Sequence, residues 1–94
     1  TGQAPDSLVE QMKLAYQNID SVLQAFDCTM DHIVEETWFV TDMHDCMSQV
    51  SQLFAARQAI YGKPPEVAQT LVQVVALVDP SMKIEIKCVA MTGE

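Results

Sequence analysis

The stretch from Val67 to Ala90 constrains the fold most. It holds two β-rich runs on either side of an Asp79-Pro80-Ser81 break. In the first run Val67, Leu71, Val75 and Leu77 share one parity with Gln69 and Gln73, and Ala68, Thr70, Val72, Val74 and Ala76 take the other. Both faces are largely apolar, as in a strand covered on both sides. In the second run Met82, Ile84, Ile86 and Cys88 alternate with Lys83, Glu85, Lys87 and Val89. That period of two sets one face on a core and the other toward water or a partner. Pro80 fixes φ and lacks an N–H, so it separates the runs. The reading is an antiparallel strand pair on which the earlier elements pack.

Those earlier elements are two helices and a strand. Ser7 with Glu10 makes a capping-box pattern. Leu8, Met12, Ala15, Ile19, Val22 and Phe26 then recur at helical spacing, widened by Val9, Tyr16 and Leu23. The spacing predicts a helix from about Ser7 to Phe26. His32 to Thr41 is rich in β-branched and aromatic residues and reads as a strand. Its neighbouring acids Glu35 and Glu36 must point to opposite faces. Asp42 is an N-cap for a second helix from about Met43 to Tyr61, with Met47, Val50, Leu53, Phe54 and Ile60 as its apolar stripe and Arg57 near the edge. Gly62 and Pro64-Pro65 end it. The fold class is α+β: one domain over residues 1–94, with a mixed sheet and two helices on one face. Two helices cover only one face of one sheet, so the other face asks for a further subunit.

Charge and composition limit the chemistry. The formal net charge is −8, from 13 acidic and 5 basic residues. That disfavours nucleic acid, which needs clustered Lys and Arg, and anionic membrane surfaces. No apolar run approaches the ~20 residues that span a bilayer. Cys28, Cys46 and Cys88 are odd in number and far apart. They read as free thiols in a reducing, cytoplasmic setting. His44, Asp45 and Cys46 lack a metal-ligand spacing, and the bland reading of His32 and His44 is solvated residues at element starts. No phosphate loop, dinucleotide glycine pattern or nucleophile elbow occurs, and no cofactor is expected. Glu85 stands mid-strand between Lys83 and Lys87. It reads either as a general acid/base or as an ion-paired surface residue. Gln69 and Gln73 read as a satisfied edge or interface, or as part of a ligand-facing pocket.

Across nearly all its length the chain resembles the RidA family, also called the YjgF/YER057c/UK114 family. Thr1-Gly2-Gln3 resembles a Ser-Gly-Gln segment, and Gln11 with Asn18-Ile19 and Leu23 resembles the first helix. Ile33-Val34 through Phe39-Val40-Thr41-Asp42-Met43, with Asp45, resembles a strand closing on an Asp-Met pair. Ala68 to Val74 and Lys83 to Ala90 resemble the last two strands. The resemblance implies a chorismate-mutase-like fold and a homotrimer with ligand clefts between subunits. It also implies hydrolysis of enamine or imine intermediates, with an arginine on the substrate carboxylate and a last-strand glutamate placing water. Glu85 matches that glutamate, and Gln69 stands at the arginine position. Lys87 stands at a second glutamate position, and Thr1 replaces the serine. The strands that precede Ser-Gly-Gln in the family, one of which carries a cleft tyrosine, have no counterpart here. A neutral amide lacks the charged fork of a guanidinium. The implied function is therefore a small-molecule-binding trimer using Thr1, Gln69 and Lys87, without ordinary imine-deaminase activity. The alternatives are a deaminase or related hydrolase using Glu85, and a non-catalytic assembly or regulatory protein. The endoribonuclease label of the family finds little support in this charge balance.

Overall fold

A central strand, flanked on both sides by strands far from it in sequence, carries the fold. The structure is a computed structural model that describes residues 6–92; Thr1 lies outside the described residues. Helix α1 (Leu8–Ala25) leads through a 3₁₀ turn to strand β1 (Ile33–Val40). Helices α2 (Met43–Ser48) and α3 (Val50–Tyr61) follow, then strands β2 (Ala68–Gln73) and β3 (Ile84–Ala90). The sheet order is β2-β1-β3, with β1 parallel to β2 and antiparallel to β3. The sheet is thus mixed. The two late strands do not pair with each other, which corrects the antiparallel pair expected from the Asp-Pro-Ser break. Asp79 does make a turn there, its Oδ1 accepting from Ser81 N and Oγ. That turn closes a loop and not a ladder, because Val74 N donates to Val40 O and keeps β2 on β1.

The local signals explain the element ends. Ser7 caps α1 by accepting from Glu10 N. The helix closes with Cys28 N on Leu23 O and Asp27 N on Gln24 O, and Asp27 takes the left-handed φ of 58° that this closure needs. Asp42 caps α2 through Asp45 N, and Gly62 at φ 79° closes α3. The expected single helix from Met43 to Tyr61 is two helices. Ser48 Oγ and Gln49 Nε2 both donate to the Asp45 carbonyl, a local competition with helical bonding, and Gln49 leaves helical geometry. The expected strand from Val67 to Leu77 ends at Gln73, and Val75 stands fully in solvent.

The core lies between the helices and one sheet face. Trp38, Val40 and Ile84 meet Met12, Tyr16, Cys46 and Leu53 there, all nearly or fully buried. On α1 the buried stripe runs Leu8, Val9, Met12, Tyr16, Leu23, while Val22 and Phe26 of the expected stripe are exposed. Gln11 is also buried, because its amide donates to Ser81 O and accepts from Lys83 N, tying α1 to the start of β3. Among the described residues no helix lies on the opposite sheet face. Its cross-strand rows read Val72–Phe39–Glu85, Thr70–Thr37–Lys87 and Ala68–Glu35–Val89.

Candidate functional site

The anticipated site residues fall on two sides of the sheet. Glu85 and Lys87 share the open face of β3 and are exposed, with Phe39 and Thr37 as their neighbours on β1. Gln69 is on β2, paired with Glu36, and points toward the helices. One chain therefore does not bring Gln69 to Glu85 and Lys87: β1 stands between them, and they occupy opposite faces.

Gln69 belongs instead to a buried cluster around Glu36. The Glu36 side chain is 0% exposed. Its Oε2 accepts from Tyr16 Oη at 2.7 Å and Tyr61 Oη at 3.0 Å. Its Oε1 accepts from Arg57 Nε and from Gln69 Nε2, the latter at 3.2 Å. Trp38 Nε1 donates to Tyr16 Oη at 3.0 Å and so orients that hydroxyl toward the carboxylate. A carboxylate has about four lone-pair sites, and here each has a donor. Among the described residues no buried side-chain polar atom lacks a partner. The arrangement needs Glu36 mid-strand, Tyr16 on α1, and Arg57 and Tyr61 four residues apart on one stripe of α3.

The electrostatics follow from that packing. Burial, and then the Glu36 carboxylate, push the Tyr16 and Tyr61 phenols far above their ordinary range. Burial and then Glu36 push the Cys88 thiol up to about 12; Cys88 is the register partner of Glu36 on β3. Burial works against the Arg57 charge, but Glu36 outweighs it and the net direction is upward. The guanidinium also lies over the rings of Phe54 and Tyr61, 5.9 and 5.4 Å from their centroids. With its acceptor sites filled, Glu36 has no lone pair free for a substrate proton, and its role is to hold α1, α3 and β2 on β1.

The remaining sequence candidates resolve locally. His32 Nδ1 accepts from Thr29 N and caps the 3₁₀ turn. His44 is exposed at the start of α2. Gln73 Oε1 accepts from Met43 N, so this amide serves the α2 terminus. The cysteines are free thiols. Among the described residues no group of three His, Cys, Asp or Glu side chains is placed to hold a metal ion, and no helix is long and apolar enough to cross a membrane.

Comparison with known proteins gives one consistent picture. A family model described as Endoribonuclease L-PSP matches residues 1–92. The chain is 32% identical over 85 residues to the RutC family protein YjgH of Escherichia coli (strain K12), covering 90% of this chain and 61% of that protein. It is 29% identical over 94 residues to TdcF of the same organism, which is called a reactive intermediate deaminase, covering 97% and 68%. The solved structure of E. coli TdcF with bound serine shares the fold at a TM-score of 0.83 and 22% identity, over 99% of this chain and 71% of that one. The E. coli YjgF gene product does so at 0.82 and 25% identity, over 98% and 70%. The chain spans about three fifths of the length of the first curated relatives it matches, at 60% and 61%.

Proposed function

Taking as premise that this chain belongs to the Endoribonuclease L-PSP family, which includes the RidA/YjgF proteins, we propose that it binds a small carboxylate or amino acid between copies of itself. One observation carries this reading. The sheet face left bare by the helices combines Phe39, Val72 and Val89 with the Glu85 carboxylate, the Lys87 ammonium and the Thr37 and Thr70 hydroxyls. Apolar corners suit contact between copies, and a few convergent polar groups suit a small zwitterion. Three copies around a common axis, as the family resemblance implies, would cover that face. Glu85 and Lys87 are the ligand-facing residues of this proposal. Gln69, held by Glu36 on the other side, contributes only from a neighbouring copy. Thr1 stays in the proposal on the resemblance alone.

Ordinary imine hydrolysis is not part of this function. A carboxylate substrate needs a charged, bidentate anchor, and the amide of Gln69 has its Nε2 on Glu36. RNA cleavage is not part of it either, because a net charge of −8 repels the phosphate backbone. The test is calorimetric titration of the purified assembly with serine, pyruvate and 2-oxobutanoate, followed by an assay with enzymatically generated 2-iminopropanoate. Saturable binding lost in Glu85→Ala and Lys87→Ala, without turnover, is the expected result. A chain that binds none of these ligands sinks the reading. Turnover that disappears in Glu85→Ala would put the hydrolase reading first, in line with the name that TdcF carries.

A further inference from the structure

We infer that the open sheet face selects its ligand by charge, and that the class it selects is the diamino acid: one carboxylate, one α-ammonium and one side-chain ammonium. The inference rests on the proposed function and deepens it, because it names which small molecule that face takes.

The five basic residues are not used alike. Lys13 lies 3.4 Å from Glu10, Arg57 bonds Glu36, and Lys63 lies 3.2 Å from Asp31. Lys83 Nζ donates to Asp6 O at 2.6 Å, which takes its charge to the head of α1. Lys87 alone has neither a hydrogen bond nor an ion pair among the described residues.

On the open face Lys87 stands between two carboxylates. Glu85 precedes it by two residues on β3, about 7 Å along the strand. Glu35 lies diagonally across on β1, level with Val89, while Thr37 is directly opposite Lys87. Diagonal neighbours of this kind are about 7–8 Å apart. All three charged side chains are exposed, and neither glutamate is bonded or ion-paired among the described residues. The free charges of the face therefore run acid, base, acid.

A diamino acid complements that pattern. Its carboxylate meets Lys87, its α-ammonium meets Glu85, and its side-chain ammonium meets Glu35. The Thr37 hydroxyl, opposite Lys87, is a further donor for the carboxylate. The carbons of the ligand pass Val89, which is 42% exposed. An amino acid with one amine leaves one glutamate without a partner. A 2-oxo acid leaves both, and brings another anion beside them. Copies gathered on this face repeat the set, two carboxylates to one ammonium, so assembly keeps the preference. The net charge of −8 acts in the same direction.

Calorimetric titration of the purified assembly with three five-carbon acids tests this. Ornithine has two amines, 2-aminopentanoate has one, and 2-oxopentanoate has none. Ornithine should bind about tenfold or more tighter than 2-aminopentanoate, the worth of one charged hydrogen bond, and 2-oxopentanoate should bind weakest. In Glu35→Gln the advantage of ornithine over 2-aminopentanoate should vanish. If that variant does not fold by circular dichroism, Nδ-acetylornithine on the wild-type chain takes its place; it lacks the terminal charge and should bind like 2-aminopentanoate. Equal affinity for ornithine and 2-aminopentanoate, or tightest binding of 2-oxopentanoate, overturns the inference and leaves the proposed function standing. An ornithine preference that survives in Glu35→Gln, or in the acetylated ligand, overturns it as well. Binding of none of the three acids sinks the proposed function and this inference together.

Discussion

Two glutamates on adjacent strands of one sheet show how differently a carboxylate can be used. Glu36 on β1 faces the helices, is fully buried, and accepts from four side chains on three other elements. Glu85 on β3 faces away from them and is exposed. Taking a carboxylate out of water costs several kcal/mol unless partners replace the lost hydration. Glu36 has those partners, so it fixes the arrangement of the helices and has no lone pair left for a ligand. Glu85 keeps its hydration and its free lone pairs, so it costs little and can meet a ligand or another copy. Burial with full pairing makes a structural carboxylate; exposure on a bare sheet face leaves an available one.

The sharpest way to break this contrast is Glu36→Ala. It leaves Arg57, whose side chain is 12% exposed, without its counter-charge, together with three orphaned donors. The expected loss is on the order of 3–5 kcal/mol, read as a large drop in the urea midpoint. A change under ~1 kcal/mol would show that the cluster does not hold the fold together. An intermediate effect concerns alkaline pH. Cys88 is raised from 9.0 to about 12, and Tyr16 and Tyr61 are raised from 10.0. The native state therefore holds protons that the unfolded chain releases, and stability is full below about pH 9. It falls as pH rises toward about 12. Urea midpoints between pH 8 and 11 should decline, and Cys88 should resist iodoacetamide at pH 8 until the chain unfolds. A flat profile would mean that the cluster opens readily. The smallest effect is expected from Glu85→Ala, within ~0.5 kcal/mol in unfolding experiments, although the same change abolishes ligand binding in the proposed function.

The sequence made the local structure legible. Ser7, Asp42 and Gly62 sit at the helix ends where their chemistry places them, and the alternation from Met82 to Val89 marks β3. Strand order was not legible. The apolar runs of β2 and β3 state that each has neighbours, but not which ones, and closeness in the chain suggested a hairpin. The structure inserts β1 between them because β1 carries Trp38 and Val40, among the most completely buried side chains in the sheet. The Glu36 cluster was half legible. Alternation put Glu35 and Glu36 on opposite faces, and Arg57 and Tyr61 lie one helical turn apart, but their meeting with Tyr16 and Gln69 is a product of tertiary packing. The missed signal was an acid amid β-branched and aromatic residues, a position that demands buried donors.

The strand order also bears on how fast the chain can fold. Glu35 is paired with Ala68 on one side and Val89 on the other, so neither ladder is a hairpin and each must close a long loop first. Loop closure of that kind slows folding, and topologies with distant pairings fold more slowly than those built of local turns. Of the elements seen here β3 is made last, so during synthesis β1 emerges early and waits with one edge unpaired. The last of the described strands thus sets the interval over which the edge of β1 that it covers stays exposed in the nascent chain.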